Sequence, residues 1–251
     1  MRDFEDSTLW LVSSFERMRA ETGSSGFARL NATSVLPSTL SAELTQLGRE
    51  HRSGGVLDVV AACIRQRENA LILLRHRGLV WPLTVFPRIN LHHLPRPISS
   101  SLEQSNLDLQ VIGVEPPGLR PPSHVIYEPM NEESSYRPLQ PLLWVLAQHA
   151  PSAQLVEDIG GRAAYRVAAG FTPDAVAIGG ALGPALRRLR SEIASLPDIA
   201  RWPGMDRERA TRLLNGVYLQ GGLMVLRSHH AARDSASPVS RLRGLLRSSP
   251  R

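Results

Sequence analysis

Residues that could do chemistry are few in this sequence, and their spacing favours structural roles. Histidines occur as two adjacent pairs, His92-His93 and His229-His230. Adjacent residues of a strand point to opposite faces, so His92 and His93 cannot easily share a metal ion. No H-E-x-x-H or comparably spaced set of Asp and His accompanies either pair. The sequence therefore predicts no metal site.

Patterns for a nucleophile or a phosphate are also incomplete. Cys63 lies beside the apolar face of a predicted helix and has no assignable histidine partner, and a single cysteine excludes an intramolecular disulfide. The turn Gly179–Gly183 precedes a helix, where free N–H groups can hold phosphate, but it lacks both the P-loop and the G-x-G-x-x-G pattern. Glu128, Glu132 and Glu133 fall in a predicted surface loop. We predict a non-enzymatic protein without a cofactor.

Composition is that of a globular protein with a substantial core. The chain has 251 residues, of which 42% are hydrophobic and 21% charged. No apolar run approaches the roughly 20 residues that span a bilayer. The acidic start, with Asp3, Glu5 and Asp6, lacks the basic region of a secretory signal. These features predict a cytoplasmic protein without an integral membrane segment.

Positive charge is concentrated toward the C-terminus. All basic residues are arginines, and from Gly180 onward 13 of them face 5 acidic residues, whereas the preceding part carries 16 against 18. Such asymmetry indicates an anionic partner without naming it.

Apolar periodicity predicts a mixture of helices and short, mostly antiparallel strands, which is an α+β fold. Ala70–Leu74 and Val80–Phe86 form a predicted hairpin, and Pro82 should make the second strand an edge or give it a bulge. Further strands are predicted at Leu91–Leu94, Leu107–Val114, Val125–Tyr127, Arg162–Ala168 and Ala175–Ile178. Helices are predicted at Phe4–Glu21, Ser38–Arg52, Val56–Arg67, Leu139–Ala150, Gln154–Ile159 and Leu182–Ser195.

Four segments follow from this pattern. We predict an N-terminal helix and linker over 1–37, an α+β domain over 38–175, a helical module over 176–228, and an Arg-rich disordered tail over 229–251.

The helical module contains the most informative stretch, Leu196–Arg227. Pro197 suits the first turn of a short helix, Pro203-Gly204 ends it, Asp206 can cap a longer helix, and Leu223–Leu226 reads as a strand. This order resembles the helix-turn-helix and wing of the winged-helix superfamily, particularly those appended to bacterial signalling regulators. The resemblance covers about an eighth of the chain and implies docking to protein or to DNA.

The exposed face of the longer helix decides between these partners. If Ala210, Leu213, Leu214 and Val217 are buried, the opposite face holds Glu208, Arg212, Asn215 and Leu219. Arg212 and Asn215 would suit base edges, but Glu208 would repel phosphates and Leu219 suits a protein contact or burial. The candidate binding residues are Arg207, Glu208, Arg209, Arg212, Asn215, Leu219 and Arg227.

We therefore expect a bacterial regulatory or adaptor protein that acts through protein–protein interaction. The alternative is a DNA-binding transcriptional regulator that uses Arg207, Arg209, Arg212 and Asn215, with Arg227 of the wing on phosphate. The sequence predicts no particular oligomeric state.

Overall fold

The computed structural model describes residues 9–23, 25–27, 35–50, 55–95, 108–120, 136–150, 153–173 and 178–233. The chain divides into two compact units, unit 1 (Met1–Ser152) and unit 2 (Ala153–Arg251). The fold is α+β, as predicted. The predicted Val125–Tyr127 strand, the Glu128–Ser135 loop and all but the last residue of the Ala175–Ile178 strand lie outside the described residues, as does the tail from 234 onward.

Unit 1 contains four helices among its described residues, and three of them lie where the apolar spacing predicts. They are α1 (Val12–Thr22), α2 (Ser38–Glu50), α3 (Val56–Gln66) and α4 (Leu139–His149). The predicted first helix begins later than expected, because Trp10–Leu11 forms a short strand β1 instead.

A six-stranded antiparallel sheet forms the centre of unit 1. Its order is β5-β2-β3-β4-β6, with β1 also paired to β3. The remaining strands are β2 (Ala70–His76), β3 (Leu79–Phe86), β4 (Leu91–His93), β5 (Gln110–Glu115) and β6 (Tyr136–Pro138). Arg77 and Gly78 close the β2–β3 hairpin with φ of 49° and 75°, the left-handed pair that a tight hairpin turn needs.

Helix α1 covers one face of this sheet. Phe15 of α1 is buried against Leu71, Leu73 and Val80, and Ile112 of β5 packs on the same cluster. Because β2 is buried at consecutive positions from Ala70 to Leu74, both of its faces lie inside the unit. Strands of this kind read as continuous apolar runs rather than as alternating ones.

Pro82 lies within a central strand, so the prediction of an edge or a bulge is wrong for β3. β3 pairs with β2 along one side and with β1 and β4 along the other. The Val12 N–H donates to the Gly78 carbonyl at 2.9 Å, so the backbone N–H and carbonyl groups of residues 78 and 80 point toward the β1–β4 side. By alternation, the backbone groups of residue 82 point to the same side. Pro82 falls between the segments paired to β1 and β4, where no ladder bond requires its missing N–H.

Unit 2 is a three-stranded antiparallel sheet with helices. Its order is β8-β7-β9, from β7 (Ala164–Val167), β8 (Ala194–Ser195) and β9 (Leu223–Leu226). Its helices are α5 (Leu182–Ser191), α6 (Leu196–Ile199), α7 (Arg207–Leu219) and α8 (His230–Arg233), with a 3-10 turn at Glu157–Ile159.

Several predicted boundaries differ from these. The predicted Gln154–Ile159 helix is only the 3-10 turn, and α5 ends at Ser191 because Ala194–Ser195 pairs with β7. β7, assigned from sequence to the first domain, belongs to the sheet of unit 2. The predicted disorder from 229 is wrong at His230–Arg233, which forms α8.

Candidate interaction surface

The short helix, turn and long helix lie where the sequence predicts them. In the turn, Gly204 has φ of +73°, and a Cβ there would lie 2.8 Å from the Ala181 Cβ, so only glycine fits. The Asp206 carboxylate accepts from the Arg209 N–H at 2.7 Å and caps α7. β9 follows α7 and pairs with β7; in the described residues after it the chain forms α8 and no returning strand.

Helix α7 is buried along nearly its whole length. Exposed residues are confined to its first turn, Arg207, Glu208 and Arg209, and from Ala210 to Leu219 every residue is buried or half-buried. The face predicted to be exposed is therefore mostly covered. A helix in this position cannot lay one long side into a DNA groove.

Asn215 and Leu219 are buried, so the prediction that they lie on an exposed face is wrong. Asn215 is 1% exposed: its Oδ1 accepts from the Val156 N–H at 3.0 Å and its Nδ2 donates to the Gln154 carbonyl at 2.8 Å. Both ends of the amide thus hold the segment before the 3-10 turn, since buried backbone groups need partners. Leu219 is 2% exposed.

Three arginines of the helix-turn-helix are ion-paired with carboxylates of their own segment. Arg212 Nη2 lies 2.7 Å from Glu208 Oε1, and Arg209 Nε lies 3.6 Å from Asp206 Oδ2. Arg201 pairs with Asp198 at 3.0 Å. These three pairs place the acidic residues beside the arginines of the helix-turn-helix, so the excess positive charge of the C-terminal part lies mostly on arginines outside these pairs.

Arg227, expected to contact phosphate, instead braces the 3-10 turn. Its guanidinium donates to the carbonyls of Asp158 at 2.7 Å and Gly160 at 2.9 Å. The Tyr165 hydroxyl donates to the Ile159 carbonyl at 2.6 Å, and burial raises the pKa of Tyr165 to about 12.

Three residues that sequence reasoning missed surround the sheet of unit 2. Met224 of β9 is 46% exposed and lies opposite Arg166 of β7. Arg166 Nε donates to the Arg190 carbonyl at 3.2 Å, and Arg190 donates to the Phe171 carbonyl at 3.0 Å. The apolar run Leu223–Leu226 signalled the strand, but its position at an edge depends on pairing with distant β7.

The catalytic candidates of the sequence are buried. Cys63 is 0% exposed and burial raises its pKa to about 12, so the thiol stays protonated at neutral pH. His92 Nδ1 lies 3.1 Å from the Pro138 carbonyl and donates to it, and burial lowers the His92 pKa to about 4. The ring of His93 lies 4.9 Å from that of Tyr136.

No group of three or more His, Cys, Asp or Glu in the described part of the chain could hold a metal ion. Among the same residues, no helix is both long and apolar enough to cross a membrane. The chain matches no family model, no curated protein and no solved structure.

Proposed function

We propose that this chain is a cytoplasmic, non-enzymatic regulatory or adaptor protein that binds another protein through unit 2. The observation that carries the proposal is the burial of α7: Asn215 and Leu219 are inside, and only the first turn is exposed. That turn presents Arg207, Glu208 and Arg209, a mixture of charges that suits the polar rim of a protein interface. A single buried cysteine agrees with a reducing compartment.

DNA binding is the second candidate, and one observation favours it. The N-terminal residues of a recognition helix are those that reach base edges, and Arg207 and Arg209 are exposed there. Against it, Glu208 lies between them and Arg209 is already paired with Asp206. At this end of the helix, Arg207 is therefore the basic side chain best placed to neutralise a phosphate.

A salt titration separates the two candidates. The full chain and an Arg207→Ala, Arg209→Ala double variant are titrated into random duplex DNA between about 50 and 200 mM salt. An Arg187→Ala, Arg201→Ala double variant, which also removes two exposed charges, is the matched control. We expect weak binding that the double variant and the control change equally. Tight binding that falls steeply with salt and is lost only in the double variant would make DNA the partner.

A crosslinking experiment tests the protein partner directly. A photoreactive phenylalanine replaces Arg207 of unit 2 or, as the control, exposed Arg17 of unit 1, in cells that make the protein. We expect a discrete protein adduct from position 207 that position 17 does not give. Adducts to nucleic acid alone at 207 would contradict the proposal.

A further inference from the structure

Among the described residues, no strand uses the backbone hydrogen-bonding groups on the outer edge of β9. The Ala168 N–H donates to the Gly222 carbonyl at 2.8 Å, and these residues continue the register that pairs Val167 with Leu223. In an antiparallel ladder, bonded and non-bonded pairs alternate. Met224 and Leu226 therefore point their N–H and carbonyl groups toward β7. Leu223 and Val225 point theirs outward.

This edge is open and apolar within the described part of the chain. β9 ends the β8-β7-β9 sheet, and no described strand pairs with its outer side. All four residues are apolar and at least partly exposed. Proline, a bulge or an internal charge would block added strands, and β9 has none of these.

The arginines around this sheet keep their positive charge. Arg166, Arg190 and Arg227 are exposed, and each donates to backbone carbonyls. The described residues show no carboxylate paired with any of the three. A carbonyl satisfies a donor without neutralising it, whereas Arg201, Arg209 and Arg212 are paired with carboxylates. Arg166, on the Met224 face of the sheet, and Arg227, just after β9, therefore carry unneutralised positive charge near the open edge, together with Arg190.

We propose that the β9 edge binds an extended segment of a partner protein by strand addition, and that this segment alternates apolar with acidic residues. The inference rests on the proposed function and assigns its docking site and partner chemistry. Main-chain bonds to Leu223 and Val225 supply the pairing, and acidic side chains lie against the arginines. A second copy is a poorer occupant, because edge-to-edge pairing would bring like-charged arginines together.

Binding is measured with the full chain and a defined probe. The probe is a blocked, fluorescein-labelled heptapeptide of alternating Glu and Val, followed by fluorescence anisotropy. Val225→Pro removes an outward N–H, whereas Val225→Thr keeps that N–H and a β-branched side chain. We expect at least a tenfold loss of affinity for Val225→Pro and less than a twofold change for Val225→Thr.

A second set of measurements changes the probe instead of the protein, and it remains informative even if Val225→Pro misfolds. A probe N-methylated at two adjacent central residues has lost a donor on both edges, and it should bind the wild-type chain at least tenfold more weakly. Replacing every Glu of the probe with Lys should cost as much. Arg166→Gln should weaken the acidic probe about threefold.

Amide exchange locates the probe. Protection should rise at least tenfold at Leu223 and Val225 and stay unchanged at Met224, whose N–H already points to β7. Equal binding of the N-methylated probe, or protection only elsewhere, would overturn strand addition. Equal binding of the Lys probe would overturn the acidic chemistry.

Two outcomes show which of the proposals is wrong if the expected binding is not found. If sedimentation shows a dimer that Val225→Pro dissociates, the occupant is a second copy and the proposed partner is wrong. If the probe does not bind but position 207 still crosslinks to a protein, the edge inference fails while the proposed function stands.

Discussion

The two sheets of this protein treat their outer strands differently. In unit 1, β5 has a bulge at Ile112, whose carbonyl accepts from Arg19 Nη1 at 3.3 Å, and the Ser25 hydroxyl donates to the Glu115 carboxylate. The other outer strand, β6, has only three residues and contains Arg137 and Pro138. Such features discourage pairing with another chain.

In unit 2, by contrast, β9 has no bulge, proline or charge within the strand. Within the residues that the structure describes, the chain thus protects the outer strands of one sheet and leaves the β9 edge of the other unpaired. Because unprotected edges invite aggregation, the difference supports the proposal that the β9 edge binds a partner segment. The proposed docking edge lies on the sheet of unit 2 and not on α7, where the resemblance predicts the binding residues.

The sharpest test of the register compares two proline variants. Met224→Pro removes an N–H that points to β7 and leaves the facing carbonyl without its donor, so we expect it to destabilise unit 2 by about 3 kcal/mol. Val225→Pro removes an outward N–H and no ladder bond, so it should cost clearly less, about 1 kcal/mol, from the φ that proline imposes on the strand. Urea unfolding followed by amide exchange in unit 2 measures both. Equal losses of unfolding free energy in the two variants would mean that the backbone N–H groups of Met224 and Val225 do not point to opposite sides of β9.

Acid should weaken unit 1 through His92. Burial lowers its pKa to about 4, with Arg137 and His93 adding to the effect and the Pro138 carbonyl opposing it. Between pH 6.5 and 4 the unfolded chain binds a proton that the folded chain does not, so stability is present above pH 6.5 and lost as pH falls. The full loss is on the order of 3 kcal/mol.

Urea unfolding of unit 1 at pH 7.5, 6 and 4.5 checks this, with His92→Gln as the comparison variant. The variant should show a flatter pH dependence over this range. An unchanged slope would assign the acid sensitivity to other groups.

Local features of the fold could be predicted from the sequence, whereas distant pairings could not. The hairpin of β2 and β3 follows from two apolar runs around Arg77-Gly78, and α7 follows from its cap at Asp206 and its apolar spacing. The pairing of β7 with β9 joins residues far apart in the chain, and periodicity carries no information about partners.

The candidate site shows the same limit. A helical projection places polar Asn215 opposite the apolar stripe and so predicts exposure, but its partners are backbone groups of Gln154 and Val156. Charge counting likewise cannot tell Arg212, paired with Glu208, from Arg166, bonded to a carbonyl. Both distinctions depend on tertiary neighbours.

Asn215→Ala tests whether this amide holds unit 2 together. The change leaves the Val156 N–H and the Gln154 carbonyl without their partner, so we expect a loss of about 2 kcal/mol. Arg207→Ala, on the exposed first turn, should stay within about 0.5 kcal/mol. Thermal unfolding of both variants compares them. A neutral Asn215→Ala would return that residue to the list of binding candidates.

Arg19→Ala tests whether the hydrogen bond from Arg19 to the Ile112 carbonyl protects the β5 edge of unit 1 against association. Arg19 lies outside the strand and bonds the exposed bulge carbonyl of Ile112, so its loss should cost only about 0.5 kcal/mol of stability. The expected change is in association: the freed carbonyl should raise the aggregation rate measured by light scattering, whereas exposed Arg17→Ala should not. If Arg19→Ala leaves that rate unchanged, the bulge alone protects β5, and the contrast with β9 rests on backbone geometry rather than on charge.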